Sequence, residues 1–232
     1  MSEASEKVLG IKQLPLFPLP LVLLPNEILP LHIFEPRYQQ MLTDIQLRRN
    51  LFGITFFEAG EIFPDRPEIG SIGCAAEVRE TNNLPEGRSN IITAGIMRYR
   101  LLEYLDEGTP YLAGAVEFFE DEKESGELVQ PIAGEVFDLF ERVARAAFEL
   151  SGNRGSFPEI PKTEPESLSF LVTAAFSLDT DIKYKMLEMT STTERMTELR
   201  GILIQAVEKM EGNAQTVKAA HTNGHSKKEI DF

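Results

Sequence analysis

The most reactive side chains in the sequence are one cysteine and three histidines. Cys74 lies among the small residues Gly73, Ala75 and Ala76, and a cysteine nucleophile needs a base close to it. His32 is the only histidine before residue 221, so a pair of Cys74 and His32 is the arrangement that would support an uncharacterised hydrolase. A free cysteine in a strand is more typical of a small buried residue, and His32 is more typical of a surface or hydrogen-bonded histidine. We therefore expect no catalytic residue.

The sequence lacks the motifs that are typical of phosphate-binding and metal-binding sites. The sequence has no G-x-x-x-x-G-K-[ST] loop, no G-x-G-x-x-G loop and no G-x-S-x-G turn, which argues against ATP hydrolysis, dinucleotide binding and a serine nucleophile elbow. His221 and His225 lie in a polar C-terminal segment, where an unstructured tail is favoured over a nickel or zinc site. A cluster of carboxylates near a strand end is interpreted as a solvated charge run rather than a divalent-cation site; it contains Glu117, Glu120, Asp121, Glu122 and Glu124. We expect no metal and no cofactor.

The segment Phe34–Tyr38 is the best candidate for binding. Glu35 and Arg37 flank Pro36 at a predicted junction between a strand and a helix, and Glu35 is placed to interact with the helix N-terminus. One interpretation is structural, a capped and ion-paired corner. The other is that the corner lines an apolar face that accepts extended peptide, and the residues predicted for it are Phe34, Glu35, Pro36, Arg37, Tyr38, Arg98 and Tyr99.

Composition and charge limit the classes of function. The chain has 232 residues and a formal charge of −14, and residues 1–130 carry 11 basic and 21 acidic groups, so the folded part repels phosphate backbones. No apolar run approaches the roughly 18 residues of a membrane span, and prolines interrupt the run Leu14–Leu24. A single cysteine excludes an intramolecular disulfide and fits a reducing cytoplasm.

The elements that position these residues begin with a proline-rich apolar run, LPLFPLPLVLLPNEILPLHIFEPRY, over Leu14–Tyr38. Proline removes a backbone donor, so this run is neither a helix nor a central strand throughout. A helix starting at Pro36 is predicted from one buried face of Tyr38, Met41, Leu42 and Ile45. Strands are predicted over Ile28–Ile33, Leu51–Phe57, Ile72–Glu80, Asn90–Tyr104 and Leu112–Phe119, with a bulge or bend at Gly95.

The second half of the chain has helical periodicity. Helical segments are predicted around Val136–Ala147, over Glu166–Leu178 and Ile182–Met189, and from Ser191, whose spacing to Glu194 is that of a capping box. Gly212 is predicted to end the last helix. We therefore predict a flexible N-terminus over 1–12, a β domain over 13–127, a helical bundle over 131–211 and a disordered tail over 212–232.

Six blocks in the same order resemble the N-terminal, substrate-binding domain of Lon proteases. They are LPLFPLPLVLLPNEILPLHIFEPRYQQML, LFGITFF, EIGSIGCAAEVRE, SNIITAGIMRYRLLEY, YLAGAVEFFED and the helical half with Asp181, Lys185, Leu187 and Glu194-Arg195-Met196. The resemblance implies an α+β fold, a PUA-like β pseudo-barrel with one inserted helix followed by a C-terminal helical bundle. It also implies a bacterial, stand-alone Lon N-domain, because no ATPase or Ser–Lys peptidase domain follows.

The function that this resemblance implies is non-enzymatic binding of unfolded or extended polypeptide, as an adaptor or regulator that works with a protease or chaperone. The alternative is an RNA-binding PUA-like module, for which Arg79, Arg88, Arg98 and Arg100 offer a local basic patch. The overall charge argues against it. Sequence alone leaves the oligomeric state and the identity of the partner open.

Overall fold

The structure is a computed structural model that describes residues 2–58, 66–151 and 156–223. The chain divides into two compact units, the first comprising Met1–Lys123 with Phe170–Ser191, and the second comprising Glu124–Ser169 with Thr192–Phe232. The elements in chain order are α1 (Glu3–Val8), β1 (Gln13–Leu19), β2 (Ile28–Ile33), α2 (Pro36–Gln46), β3 (Leu51–Phe56), β4 (Ile72–Asn83), β5 (Ser89–Leu105), β6 (Leu112–Phe119), α3 (Gly126–Leu150), α4 (Pro165–Ala175), α5 (Thr180–Glu188) and α6 (Thr192–Asn223).

The strands of the first unit form a closed ring with one appended strand. The hydrogen-bonded order is β2-β5-β4-β3-β1-β6, and β6 also pairs with β5, which closes the ring. All pairs are antiparallel except β1 with β3. Strand β2 pairs with the first half of β5, and its other edge pairs with no strand among the described residues. This arrangement confirms the predicted α+β pseudo-barrel.

Strand β1 explains why the apolar run tolerates its prolines. It pairs with β6 over Gln13–Leu16 and with β3 only from Leu16 to Leu19, so it changes neighbour at Leu16. The carbonyl of Lys12 accepts the N–H of Val116 in β6, and backbone groups alternate sides along a strand. The nitrogen of Pro15 therefore faces the side of β3 before that pairing begins, and the nitrogen of Pro18 faces the side of β6 after that pairing has ended. Neither proline costs the sheet a hydrogen bond.

Two features of the first unit, helix α2 and the irregularity at Gly95, agree with the predictions from the sequence. Helix α2 begins at Pro36 and buries Tyr38, Met41, Leu42 and Ile45, as predicted. A register shift in the pairing of β4 with β5 lies next to Gly95, which confirms the predicted bulge or bend. A Cβ atom at this glycine would lie 2.1 Å from the carbonyl oxygen of Leu24, so the apolar run packs directly against the backbone there.

The structure differs from the predicted boundaries in three places. The segment 1–12 contains α1, whose N-terminal Ser2 accepts the N–H of Ser5 at 3.1 Å and whose Val8 is buried, so it is ordered rather than loose. Residues 170–191 belong to the first unit and not to the helical one. Helix α6 passes through Gly212 and continues to Asn223, because the residues that follow include good helix formers. Residues 224–232, and with them His225, lie outside the described residues.

The second unit is built on the pairing of α3 with α6. Helix α6 begins at Thr192, one residue after Ser191, at the position that the capping-box spacing predicts. Glu124 accepts hydrogen bonds from the N–H and the hydroxyl of Thr193 at 2.9 and 2.6 Å, which satisfies a donor in the first turn. Arg195 is fully buried and donates to the hydroxyl of Ser169 at 2.7 Å.

Candidate functional site

The outer face of β2 forms an exposed apolar strip. Side chains alternate along a strand, so every second residue from Ile28 points outward, and the buried and exposed positions of β2 follow that alternation. Ile28 and Phe34, at the two ends, are 59% and 58% exposed. We call this strip, made of Ile28, Pro30, His32 and Phe34, the β2 surface.

The free edge of β2 lies beside the same strip. The carbonyl of Glu27 accepts the N–H of Gly95 at 2.9 Å, and the carbonyl of Leu29 accepts the hydroxyl of Thr93 at 2.8 Å, so both face β5. Because backbone groups alternate, those of Ile28, Pro30 and His32 face the open edge. Three of the four residues of the β2 surface, Ile28, Pro30 and His32, therefore also present backbone acceptors that another strand can use.

His32 is a hydrogen-bonded surface residue, as the sequence predicts. A hydrogen bond of 2.6 Å joins its Nδ1 to Oδ1 of Asn90, and its ring stacks on Phe34 with 5.8 Å between ring centres. Cys74 is fully buried, and burial raises its pKa to about 12. Its thiol is protonated at neutral pH, which confirms the interpretation as a buried small residue and removes the best candidate nucleophile.

The corner between β2 and α2 is ion-paired, but Glu35 does not cap the helix. Arg37 donates from Nε to Oε2 of Glu35 at 2.9 Å and pairs with it from Nη2 at 2.8 Å. Glu35 occupies the N-cap position and its side chain makes no capping hydrogen bond, because Arg37 engages it instead. Gln39 donates to the carbonyl of Phe34 at 2.9 Å. Tyr38 is buried and its ring centre lies 4.0 Å from that of Phe17.

Arg98 and Tyr99 lie in the interior, which corrects their place in the predicted binding surface. Backbone at the end of α5 covers β5 at this point. Arg98 is 1% exposed, pairs with Asp121, and donates to the carbonyls of Leu187 and Met189 at 3.0 and 2.5 Å. A hydrogen bond of 2.6 Å joins the hydroxyl groups of Tyr99 and Thr55, and burial raises the pKa of Tyr99. Of the seven predicted residues, Phe34, Glu35, Pro36 and Arg37 remain at the surface.

The predicted run of solvated carboxylates is largely engaged with the protein. Asp121 is buried against Arg98, so its assignment to a solvated run is wrong. Glu120 accepts the hydroxyl of Ser5 at 2.6 Å and that of Ser2, and these hydrogen bonds hold its pKa below the usual range. Among the described residues, no group of three or more His, Cys, Asp and Glu side chains is arranged to hold a metal ion. Helices long and apolar enough to cross a membrane are likewise absent from the described part of the chain.

Comparison with known proteins gives one family and a set of relatives. A family model described as the ATP-dependent protease La (LON) substrate-binding domain matches residues 13–205. The Lon protease of Desulforamulus reducens is 26% identical over 208 residues, which are 87% of this chain and 25% of that protein. The chain thus spans about a quarter of the length of the curated relatives it matches.

Two solved structures are similar in fold. A Lon N-terminal domain protein from Xanthomonas campestris superposes with a TM-score of 0.59 at 20% identity, covering 82% of this chain and 97% of that one. The N-terminal domain of a Lon protease from the Mycobacterium avium complex gives a TM-score of 0.60 at 18% identity, covering 85% and 98%. At these identities, the likeness establishes the fold.

Proposed function

Because the chain belongs to the ATP-dependent protease La (LON) substrate-binding domain family, we propose that it binds unfolded or extended polypeptide on the β2 surface. The observation that carries the proposal is that the same residues of β2 form an exposed apolar strip and a strand edge that pairs with no other described strand. An extended segment that adds as a strand gains main-chain hydrogen bonds from the edge and apolar contact from the strip. Folded proteins rarely offer such a segment.

The size of the expected contact is modest. Ile28 and Phe34 are each more than half exposed, and covering either one contributes about 1 kcal/mol or more. Pro30 supplies a carbonyl but no N–H, so an added strand makes fewer hydrogen bonds than at an uninterrupted edge. The same proline limits uncontrolled pairing between copies of the chain. We therefore expect weak and sequence-tolerant binding, selective for extended chains.

Binding to a permanently unfolded protein tests this proposal. The probe is fluorescein-labelled lactalbumin, reduced and alkylated with iodoacetamide, with native lactalbumin as the folded comparison. The double variant Ile28→Thr with Phe34→Ser should bind the unfolded probe at least about tenfold more weakly, since about 1.4 kcal/mol corresponds to that factor and the two contacts together contribute more. Leu102→Ser is the matched control, because Leu102 is an exposed leucine of β5 beyond the segment paired with β2.

Equal affinity for folded and unfolded lactalbumin would overturn the proposal, as would a double variant that binds as the wild type does. Circular dichroism and urea unfolding of each variant separate a lost contact from a lost fold. In these surface positions, we expect both measurements to be close to those of the wild type.

A role as adaptor or regulator of a protease is the finer form of the proposal. Its test is the degradation of an unfolded substrate by a Lon protease in the presence of increasing amounts of this protein. An adaptor raises the rate at low concentration, and a competitor lowers it in proportion to the substrate it binds. A rate that never changes would restrict the function to polypeptide binding.

The RNA-binding alternative has little local support. Arg98 is buried, Arg79 pairs with Glu77 at 2.9 Å, and Arg88 lies 3.4 Å from Glu86. Acidic side chains thus accompany three of the four arginines of the predicted patch, Arg100 being the exception, and the chain carries a charge of −14.

A further inference from the structure

An apolar groove lies between the start of β1 and the end of α2, on residues that the β2 surface does not include. Its volume is about 260 Å³, and its floor is formed by Leu14, Ile45 and Leu51. That volume is below the range typical of pockets for whole drug-sized molecules and suits one or two side chains. We call it the β1–α2 groove.

One wall of the β1–α2 groove is a strand edge without a partner. Over Gln13–Pro15, β1 pairs with β6 on one side, and its pairing with β3 begins only at Leu16. The carbonyl of Lys12 points to β6, where it accepts the N–H of Val116, so the backbone groups of Gln13 and Pro15 point to the other side. That edge pairs with no strand in the described residues, and an extended segment in the groove would lie along it.

The rim of the groove is basic in a chain that is strongly acidic. Lys12, Arg48 and Arg49 line the groove, and all three are exposed. Arg49 donates to the carbonyl of Leu9 at 2.8 Å through one of its nitrogens, which fixes the position of its guanidinium. Leu47, which precedes Arg48 in the sequence, is an apolar side chain that is 83% exposed.

The carboxylates at the far end are already engaged. Asp44 accepts the hydroxyl of Tyr111 at 2.7 Å, and Glu107 accepts the side-chain amide of Gln13 at 2.6 Å. Arg49 donates to backbone carbonyls rather than to a carboxylate, and among the described residues neither Lys12 nor Arg48 pairs with a carboxylate, so the rim is complementary to negative charge.

We propose that the β1–α2 groove binds a stretch of extended polypeptide in which acidic residues alternate with apolar ones. The apolar side chains enter the floor, the backbone runs along the open edge of β1, and the carboxylates lie against the basic rim. Because opposite charges at a partly exposed rim mainly provide specificity, the groove selects which extended chains bind. The inference does not rest on the β2 surface, since the two places share no residue.

The test uses two short fluorescein-labelled peptides, one alternating leucine and glutamate and the other alternating leucine and glutamine. Fluorescence anisotropy at low salt should show tighter binding of the glutamate peptide, by about tenfold, and added salt should weaken that binding because it screens exposed charges. Arg48→Gln should weaken it about fivefold, the factor that corresponds to the upper end of exposed ion pairs. Arg79→Gln, an exposed arginine that does not line the groove, is the matched control.

The inference is overturned if the glutamate peptide does not bind measurably, if the two peptides bind with equal affinity, or if the Arg48→Gln variant binds as the wild type does. The variants of the β2 surface, Ile28→Thr and Phe34→Ser, should leave this affinity unchanged. If they abolish it, the peptide occupies the β2 surface and the groove inference is wrong. If they leave it unchanged but fail to affect unfolded lactalbumin, the groove stands and the proposal for the β2 surface fails.

Discussion

Two arginines of the first unit have similar neighbours and opposite surroundings. Arg37 pairs with Glu35, and its guanidinium lies 4.6 Å from the centre of an aromatic ring. Arg98 pairs with Asp121, and its guanidinium also lies 4.6 Å from the centre of an aromatic ring. The side chain of Arg37 is 50% exposed, whereas that of Arg98 is 1% exposed.

Burial decides what each pair does. Water and salt weaken the attraction between Arg37 and Glu35, so that pair shapes a corner of the surface without holding the fold together. Arg98 has no access to water, and its donors connect β5 to Asp121 and to the end of α5. An unpaired charge would be very unfavourable there. The same residue types thus serve a surface in one place and the interior in the other.

The largest expected effect is that of Arg98→Met. The change removes the guanidinium from a buried carboxylate and from two backbone carbonyls, so the free energy of unfolding should fall by about 3–5 kcal/mol, measured by urea unfolding. Arg100→Met, an exposed arginine two residues further along the same strand, should change it by less than about 1 kcal/mol. Equal effects at the two positions would contradict the contrast between interior and surface.

Gly95→Ala should have the next largest effect. The new Cβ atom would lie 2.1 Å from the carbonyl oxygen of Leu24, and relieving that overlap requires the backbone to shift. We expect a loss of about 1–3 kcal/mol in the free energy of unfolding, the range for overpacked cores. Gly134→Ala is the control, because no atom beyond the adjacent backbone of its own helix lies within 4 Å of its added Cβ and alanine favours the helix. A neutral Gly95→Ala would show that the apolar run can move away from β5.

Glu27 is partly buried, intermediate between exposed Arg37 and buried Arg98, and its contribution to the free energy of unfolding should depend on pH. Burial raises its pKa above 4.5, while the N–H of Leu24 and the charge of Lys183 act in the opposite direction. A carboxyl whose pKa is higher in the folded than in the unfolded protein lowers stability as the pH rises through the interval between the two values. Glu27→Gln keeps an acceptor for Leu24 and removes the titration. The stability of the variant relative to the wild type should therefore increase with pH above 4.5 and then level off. A relative stability that falls with pH would contradict this assignment.

The smallest expected effect is that of Arg37→Gln. Half of this side chain is exposed, so the free energy of unfolding should change by about 0.5 kcal/mol or less, and salt should reduce the difference further. A double-mutant cycle with Glu35→Gln measures the pair directly. A coupling energy near that of a buried pair would mean that the corner is held far more rigidly than its exposure indicates.

Much of the surface corner could be predicted from the sequence, since its signals are local. Pro36 marks the first turn of α2, and the spacing of Tyr38, Met41, Leu42 and Ile45 gives the buried face. The ion pair of Glu35 and Arg37 follows from residues two positions apart. These features depend on a short piece of chain, which is why pattern and chemistry were sufficient.

The interior position of Arg98 could not be predicted in the same way. Alternation along β5 places Arg98 and Arg100 on one face, and nothing nearby in sequence distinguishes them. Only one is covered, because the residues around Leu187 and Met189, far along the chain, pack over it. The groove at β1 was missed for a related reason. The prolines of the run show where backbone N–H groups are missing. The point at which β1 exchanges β6 for β3 as its partner, at Leu16, depends on segments that lie far along the chain.

The change of neighbour along β1 has a consequence for synthesis on the ribosome. Gln13 pairs with Ala115 and Leu19 pairs with Phe56, so the two halves of one strand depend on partners that emerge at different times. At about 5–20 residues per second, β6 follows β1 by on the order of ten seconds. During that interval, the most apolar part of the nascent chain cannot complete its pairing, and it has to remain free of aggregation. The proline-rich first strand is therefore the segment most in need of protection before the ring closes.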